Sequence, residues 1–149
     1  MNTIKPMNRF LSNIYMAKEI FHIFQEKAMD IQLKNLFLDI CNTFESHEKK
    51  ITEIICKLGL EPSENMMLSQ VMATKMERFK ARVFKTDFKL CMLAIKDINM
   101  GIIGGLEFLH KYQQLEFAFL DKGADVVKDY DNILSKVKKF VSEHYIKNK

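Results

Sequence analysis

Residues 33–59 of the chain read LKNLFLDICNTFESHEKKITEIICKLG, and this stretch decides the fold. Its apolar residues recur at alternating intervals of four and three, which is the spacing of one face of an α-helix. That face consists of Leu33, Phe37, Ile40, Phe44, His47, Ile51, Ile54 and Leu58. Asp30 is a predicted N-cap, and Gly59 stands where a left-handed residue commonly ends a helix. The stretch therefore predicts one long amphipathic helix.

The same periodicity predicts further long helices on both sides of this one. An earlier helix begins after Pro6, and its face carries Phe10, Ile14, Ala17, Phe21, Phe24 and Ala28. Two later helices meet near residues 113–115. The face of the first consists of Phe88, Cys91, Ile95, Ile98, Ile102, Gly105, Leu109 and Tyr112. The face of the second consists of Phe119, Gly123, Val126, Tyr130, Ile133, Val137, Phe140 and His144. Short connections make each pair an antiparallel hairpin. The chain is thus predicted to form hairpins 7–59 and 87–146, joined by a crossover, 60–86, that carries an extra helix.

The composition favours a single all-α domain spanning residues 1–149. Two prolines and five glycines are too few for a strand-and-turn architecture, and 48% hydrophobic with 28% charged residues argues against disorder. No apolar run approaches the ~18 residues of a transmembrane helix, and the start lacks the features of a signal peptide. Three cysteines without a CxxC pair indicate buried thiols in a reducing compartment, so we expect a cytoplasmic protein.

The charge pattern does not demand a nucleic-acid partner. The net charge is only +4, and lysines far outnumber arginines among the 23 basic residues. This lysine-, isoleucine- and asparagine-rich composition is typical of an AT-rich bacterial genome. Segment 75–89 interleaves phenylalanines with a basic patch of Lys75, Arg78, Lys80, Arg82, Lys85 and Lys89. Such a patch can bind acidic polymers, although a solvated helix face is the simpler interpretation.

Paired hairpins with a long middle crossover resemble the ferritin-like superfamily, and in particular its rubrerythrin-like branch. Residues 33–59 are similar to the second helix of that family, and AKEIFHIFQEKAMD, residues 17–30, resembles the end of the first. The resemblance implies a ferritin-like four-helix bundle. It also implies inward carboxylates on the four helices, with a histidine three residues later on two of them, around a dimetal site.

The positions at which the resemblance places metal ligands carry few ligand atoms. They fall near Ala17 on the first helix, at Phe44 and His47 on the second, and at Val127 and Tyr130 on the fourth. On the third helix the inward positions are Ile95, Ile98 and Asn99, and Asp97 lies off the apolar stripe. A dimetal cluster needs several anionic oxygens, so the resemblance implies a degenerate metal site and no cofactor is predicted.

His47 is the most informative polar residue because the rest of its helix face is apolar. As a core residue it should be neutral and hydrogen-bonded to Tyr130 or Tyr15, and these three residues form the candidate polar or ligand site. The alternative is a remnant metal site of His47 with Asp97.

Other motifs point weakly to chemistry. Glu107 and His110 form a Glu-x-x-His pair, but Glu107 falls between stripe positions and should face solvent. No nucleophile elbow or phosphate loop occurs, and Cys41, Cys56 and Cys91 should pack as inert thiols. Gly101, Gly104 and Gly105 stand within the third helix, which indicates close helix approach or a local kink, or else room for a ligand or a subunit contact.

Together these features favour a non-catalytic protein that acts by binding another copy, another protein or a small apolar ligand in its core. We expect a homodimer, because Leu36, Cys41, Ile55, Met66, Met67, Leu68, Met92, Ile103 and Phe108 add apolar surface beyond one core. The alternative is a metal-dependent redox protein of the same fold with an unorthodox site around His47. A third hypothesis is an acidic-polymer binder acting through residues 75–89.

Overall fold

The computed structural model describes residues 3–62, 77–79 and 86–146 of the chain. Its elements are α1 (Ile4–Lys27), α2 (Ile31–Lys57), α3 (Asp87–Lys111) and α4 (Phe117–Tyr145), and no described residue lies in a strand. α1 and α2 form one antiparallel hairpin, and α3 and α4 form the other. The connection between the hairpins is helical at residues 77–79. The predicted all-α bundle of two antiparallel hairpins is confirmed, and most of the predicted crossover, 60–86, lies outside the described residues.

The helix ends follow the local signals in the sequence. The Asp30 Oδ1 atom accepts hydrogen bonds from the backbone N–H groups of Gln32 and Leu33, at 2.7 and 3.2 Å. Gly59 has a φ of +77°, the left-handed conformation expected after a helix. The start of α1 was predicted wrongly, since this helix begins at Ile4 and includes Pro6 in its first turn. Proline is tolerated there because first-turn N–H groups have no partner within the helix.

The core lies between the four helices and is dominated by phenylalanine. Phe21, Phe24, Phe37, Phe44 and Phe119 are its largest fully buried side chains. The buried residues differ in places from the predicted apolar faces. In α2, Cys41 and Ile55 are buried, whereas Ile54 and Leu58 are only partly buried. In α3, Leu90 and Ala94 are buried and Phe88 is exposed, and in α4, His144 is exposed. A strict alternation of four and three repeats every 3.5 residues, so it rotates slowly around a helix of about 3.6 residues per turn.

One end of the bundle is held together by Asp87, the first residue of α3. Its two carboxylate oxygens accept hydrogen bonds from the backbone N–H groups of Met29 and Asp30, each at 2.8 Å. Nearby, His144 Nε2 lies 3.0 Å from Gln32 Oε1, which links the end of α4 to the start of α2. These contacts join the two hairpins and were not predicted from the sequence.

The two hairpins meet unevenly. α2 packs against α4 along the bundle, whereas α1 and α3 touch over a shorter stretch. On α3, Met100, Ile103 and Leu106 are exposed by 61%, 60% and 54%. The bundle therefore has an apolar, less closely packed side between α1 and α3.

Within the described ranges, no helix is both long and apolar enough to cross a membrane.

Candidate functional site

A cavity of about 280 Å³ lies on this less closely packed side, between α1 and α3, with α4 beneath it. Four aromatic rings line the cavity, those of Phe10, Phe21, Phe108 and Tyr130. Its volume is near the lower end of the ~300–1,000 Å³ of small-molecule sites. Met100 and Gly104 line the cavity and are exposed, so the cavity is open to solvent beside α3.

The three glycines of α3 shape this region in two different ways. A Cβ atom on Gly101 would lie 2.6 Å from Cε1 of Tyr130, and one on Gly105 would lie 2.6 Å from Cγ2 of Val127. These two glycines therefore allow α3 to approach α4 closely. A Cβ on Gly104 would meet nothing within 4 Å, and this residue borders the cavity. Close approach and room for a ligand both occur in the same helix.

Asp97 places a carboxyl group in the wall of the cavity. Its Oδ2 atom is buried and has no hydrogen-bond partner among the described residues. Burial raises the pKa of this carboxyl from 3.8 to about 6, against the opposing effect of Lys96. Burial, with a smaller contribution from Asp97, also raises the pKa of the Tyr130 phenol to about 12. Although Asp97 lies off the predicted apolar stripe, its helix turns the residue toward the cavity, a placement that the stripe did not reveal.

Some of the positions at which the ferritin-like resemblance places metal ligands line the cavity, whereas Phe44, His47, Ile95 and Asn99 do not. Ala17 from α1, Asp97 and Ile98 from α3, and Val127 and Tyr130 from α4 all line it. This lining supplies a single carboxylate, whereas a dimetal cluster needs several anionic oxygens to balance its charge. Across the described ranges, no group of three or more His, Cys, Asp or Glu side chains could hold a metal ion. The residues that line this cavity therefore do not fit the dimetal group that the resemblance implies.

His47 lies on the opposite side of the bundle, in a polar groove between α2 and α4. Its Nε2 atom is 2.6 Å from Oδ2 of Asp129, and its buried Nδ1 atom has no hydrogen-bond partner within the described part of the chain. Burial lowers the pKa of His47, and the nearby Lys122 and Lys50 lower it further, which outweighs the opposing effect of Asp129. The neutral imidazole thus donates its Nε2 proton to the Asp129 carboxylate.

The predicted candidate site of His47, Tyr130 and Tyr15 does not come together. The hydrogen-bond partner of His47 is Asp129 and not a tyrosine, because Asp129 precedes Tyr130 by one residue and so faces the α2–α4 groove. Tyr130 instead lines the α1–α3 cavity, and its ring packs against Phe44 with centroids 5.2 Å apart. Tyr15 lies elsewhere, with Lys18 Nζ over its ring, 4.7 Å from the ring centroid. The alternative metal pair is also separated, since Asp97 and His47 line different depressions.

The remaining predicted residues lie at the surface or outside the described ranges. Glu107 is exposed, as predicted, and His110 is exposed as well. In the basic patch, Arg78 and Lys89 are exposed, and Lys75, Lys80, Arg82 and Lys85 lie outside the described residues. The predicted extra apolar residues Met66, Met67 and Leu68 also fall outside them.

The two buried thiols are not activated nucleophiles. Cys41 and Cys91 are buried, and burial raises the pKa of each to about 12. Such thiols stay protonated at neutral pH and are poor nucleophiles. Cys56 was predicted to pack but is exposed, because it lies one position beyond the buried Ile55 on α2.

The helical architecture defines the class of protein, a helical bundle with a ferritin-like fold. Among solved structures, the chain is similar to the bacterioferritin-related protein of Bacteroides fragilis, described as a dodecameric thioferritin. The TM-score is 0.71 at 11% sequence identity, over 94% of this chain and 84% of that one. No protein-family model matches the chain, and no curated protein matches its sequence. At this identity, the similarity establishes the fold alone.

Proposed function

We propose that this chain is a non-catalytic ferritin-like bundle, of the rubrerythrin-like type, that has lost its dimetal site and binds a small apolar ligand in the α1–α3 cavity. One observation carries the proposal: the lining of the cavity is mostly apolar and aromatic, and its polar groups are the Asp97 carboxyl, the Asn13 amide and the Tyr130 phenol. Ala17 and Val127, where the resemblance places carboxylates, carry only hydrocarbon. Such a lining supports ligand binding in preference to metal chemistry.

The physical basis of this binding is the hydrophobic effect. Transfer of apolar surface from water contributes about 25 cal/mol for each Å² that becomes buried. The rings of Phe10, Phe21 and Phe108 give an aromatic ligand large apolar contacts, and α4 closes the cavity from below. Entry requires no rearrangement of the core, because the cavity is already open beside Met100 and Gly104.

Calorimetric titration with 2-phenylethanol, a small aromatic alcohol, tests the proposal. Ala17→Phe should fill the cavity and weaken binding by about tenfold or more, whereas the same change at exposed Ala124 should leave the affinity unchanged. Gly104→Leu is a second blocking variant in case Ala17→Phe does not fold. Failure of the wild-type protein to bind the probe, or equal binding by the blocked variants, would contradict the proposal.

A metal-dependent redox protein with a site around His47 is the alternative function. Elemental analysis of protein purified without a chelator separates the two functions. We expect less than one bound metal ion per chain. Two ions per chain would exclude the proposed loss of the site and favour the alternative. The third hypothesis, an acidic-polymer binder, requires nucleic-acid binding by residues 75–89 that weakens steeply with salt.

Self-association is a second candidate function, favoured by the exposed Met100, Ile103 and Leu106 of α3. A symmetric dimer could cover this apolar surface on both copies with one self-complementary contact. The similar protein from Bacteroides fragilis is described as a dodecamer, so association through a helical bundle of this fold has a precedent. Buried, unpaired Cys41 and Cys91 support the proposal of a reducing, cytoplasmic location.

A further inference from the structure

The wall of the α1–α3 cavity contains one carboxyl group, that of Asp97, among mostly apolar and aromatic residues together with Asn13 and Tyr130. Its Oδ2 atom is shielded from solvent and has no hydrogen-bond partner in the described part of the chain. A buried carboxylate oxygen without a donor is unfavourable, and the free energy of that missing interaction is recovered when a donor arrives. The lining also includes two neutral donors, the Asn13 amide and the Tyr130 hydroxyl, but none of its side chains is cationic. A charged donor therefore has to come from a bound molecule.

The charge state of Asp97 sets the type of donor. With a pKa of about 6, this carboxyl is mostly ionised at neutral pH, although burial disfavours its charge. Lys96, its neighbour in the chain, is exposed and leaves the buried Oδ2 atom without a partner. The free protein thus has a negative charge beside an aromatic cavity. An ammonium group satisfies such an oxygen and neutralises its charge, whereas an alcohol supplies only a neutral hydrogen bond.

The rings around the cavity favour the same class of ligand. Phe10, Phe21 and Phe108 present aromatic surface that packs against an apolar body and attracts a cation at a ring face. A bare metal cation is a poorer match, because one carboxylate and a phenol cannot replace its hydration shell. An anionic ligand is excluded by repulsion from Asp97.

We propose that the ligand of the α1–α3 cavity is an apolar or aromatic primary amine, whose ammonium group pairs with the Asp97 carboxylate while its hydrocarbon part contacts the phenylalanine rings. This inference rests on the proposed ligand-binding function and adds the chemical class of the ligand. Asp97 then determines the preference for an amine over an alcohol. The apolar lining supplies contacts that an alcohol of the same shape makes equally well.

Two probes of nearly equal shape, 2-phenylethylamine and 2-phenylethanol, test this inference by calorimetric titration at neutral pH. The wild-type protein should bind the amine about tenfold or more tightly than the alcohol, a difference of about 1.4 kcal/mol or more. Asp97→Asn should abolish that preference, so that the amine binds no more tightly than the alcohol. Asp131→Asn, which removes the same charge from an exposed position on α4, should retain the preference.

The outcomes separate the two proposals. If the alcohol binds but the amine binds no more tightly, or if the preference survives in Asp97→Asn, the assignment of an amine is wrong and the apolar site remains. If neither probe binds the wild-type protein, both proposals are wrong. Backbone amide shifts of Gly101, Gly104 and Gly105 on titration locate the bound probe, and shifts confined to the α2–α4 groove would also overturn the assignment.

Discussion

The Asp97 carboxyl links the stability of the bundle to pH. Because burial raises its pKa from 3.8 to about 6, the folded protein binds this proton more tightly than the unfolded chain does. The resulting stabilisation is fully present below pH 3.8, the pKa of this carboxyl in the unfolded chain, and it is lost as the pH rises through the folded pKa of about 6. Asp97→Asn should therefore raise the free energy of unfolding at neutral pH by about 1–3 kcal/mol, and much less at about pH 4.

Urea unfolding of the wild-type protein and Asp97→Asn at both pH values measures this effect. Asp131→Asn is the matched control, since its carboxyl is exposed and its loss should leave the pH dependence of stability unchanged. A variant at Asp97 that is less stable than wild type at neutral pH would show that this carboxyl is satisfied in the folded protein.

Titration of His47 changes the stability with pH in the opposite direction, because burial and two lysines lower its pKa below 6.5. The unfolded chain binds this proton more tightly, so stability present above pH 6.5 is lost as the pH falls through the lowered folded value. His47→Leu should leave the fold intact at neutral pH and should remove this loss at acidic pH. The partly exposed Asp129 can then be solvated by water. Thermal unfolding at about pH 7.5 and 5 measures the effect, and a destabilisation above about 3 kcal/mol would instead reveal a buried polar network.

At the scale of a single helix, the three glycines of α3 make a matched series. Gly104→Ala should stabilise the protein by about 0.5–1 kcal/mol, because alanine favours the helix and its Cβ meets no neighbour. Gly101→Ala and Gly105→Ala should each destabilise by about 1–3 kcal/mol, because their Cβ atoms would overlap Tyr130 and Val127. Denaturant unfolding of the three variants checks the order, and equal effects at all three positions would contradict the close approach of α3 to α4.

The start of α3 stabilises the neighbouring hairpin through Asp87. Removal of its carboxylate in Asp87→Ala leaves the N–H groups of Met29 and Asp30 without their acceptor, so we expect a loss of about 1–3 kcal/mol. Asp87→Asn retains one acceptor oxygen and should lose less. Urea unfolding gives both values. Asp39→Ala, at an exposed position on α2, controls for the general effect of removing an acid.

At the scale of the whole molecule, the exposed apolar residues of α3 predict association. Sedimentation at micromolar concentration should give about twice the 17.5 kDa mass of one chain. Ile103→Lys should shift the protein toward the monomer, because it places a charge in the apolar surface. Leu38→Lys changes a side chain that is 40% exposed on α2 and should leave the dimer intact. A wild-type monomer throughout this range would assign the exposed surface to a different partner.

Much of the architecture was accessible from the sequence because its causes are local. The alternation of apolar residues set the helices, Asp30 and Gly59 marked the ends of α2, and short connections required antiparallel hairpins. The repeat was less reliable near helix ends, where Ile55 and not Ile54 is fully buried. There the rotation of the apolar face accumulates over many turns, and only the neighbouring helix decides which residue it covers.

The candidate site was less predictable, since its residues come together only after the hairpins pack. His47 and Asp129 are 82 positions apart, and the intervals that identify a helix face contain no information about which partner lies opposite. Asp97 was predicted to lie off the stripe, yet the shorter contact between α1 and α3 leaves a cavity beside it. Hydrophobic periodicity acts within one helix and therefore determines that a helix has an apolar face. The position of a cavity, the burial of a carboxyl and its pKa depend on how several such faces meet, and only the tertiary structure decides them.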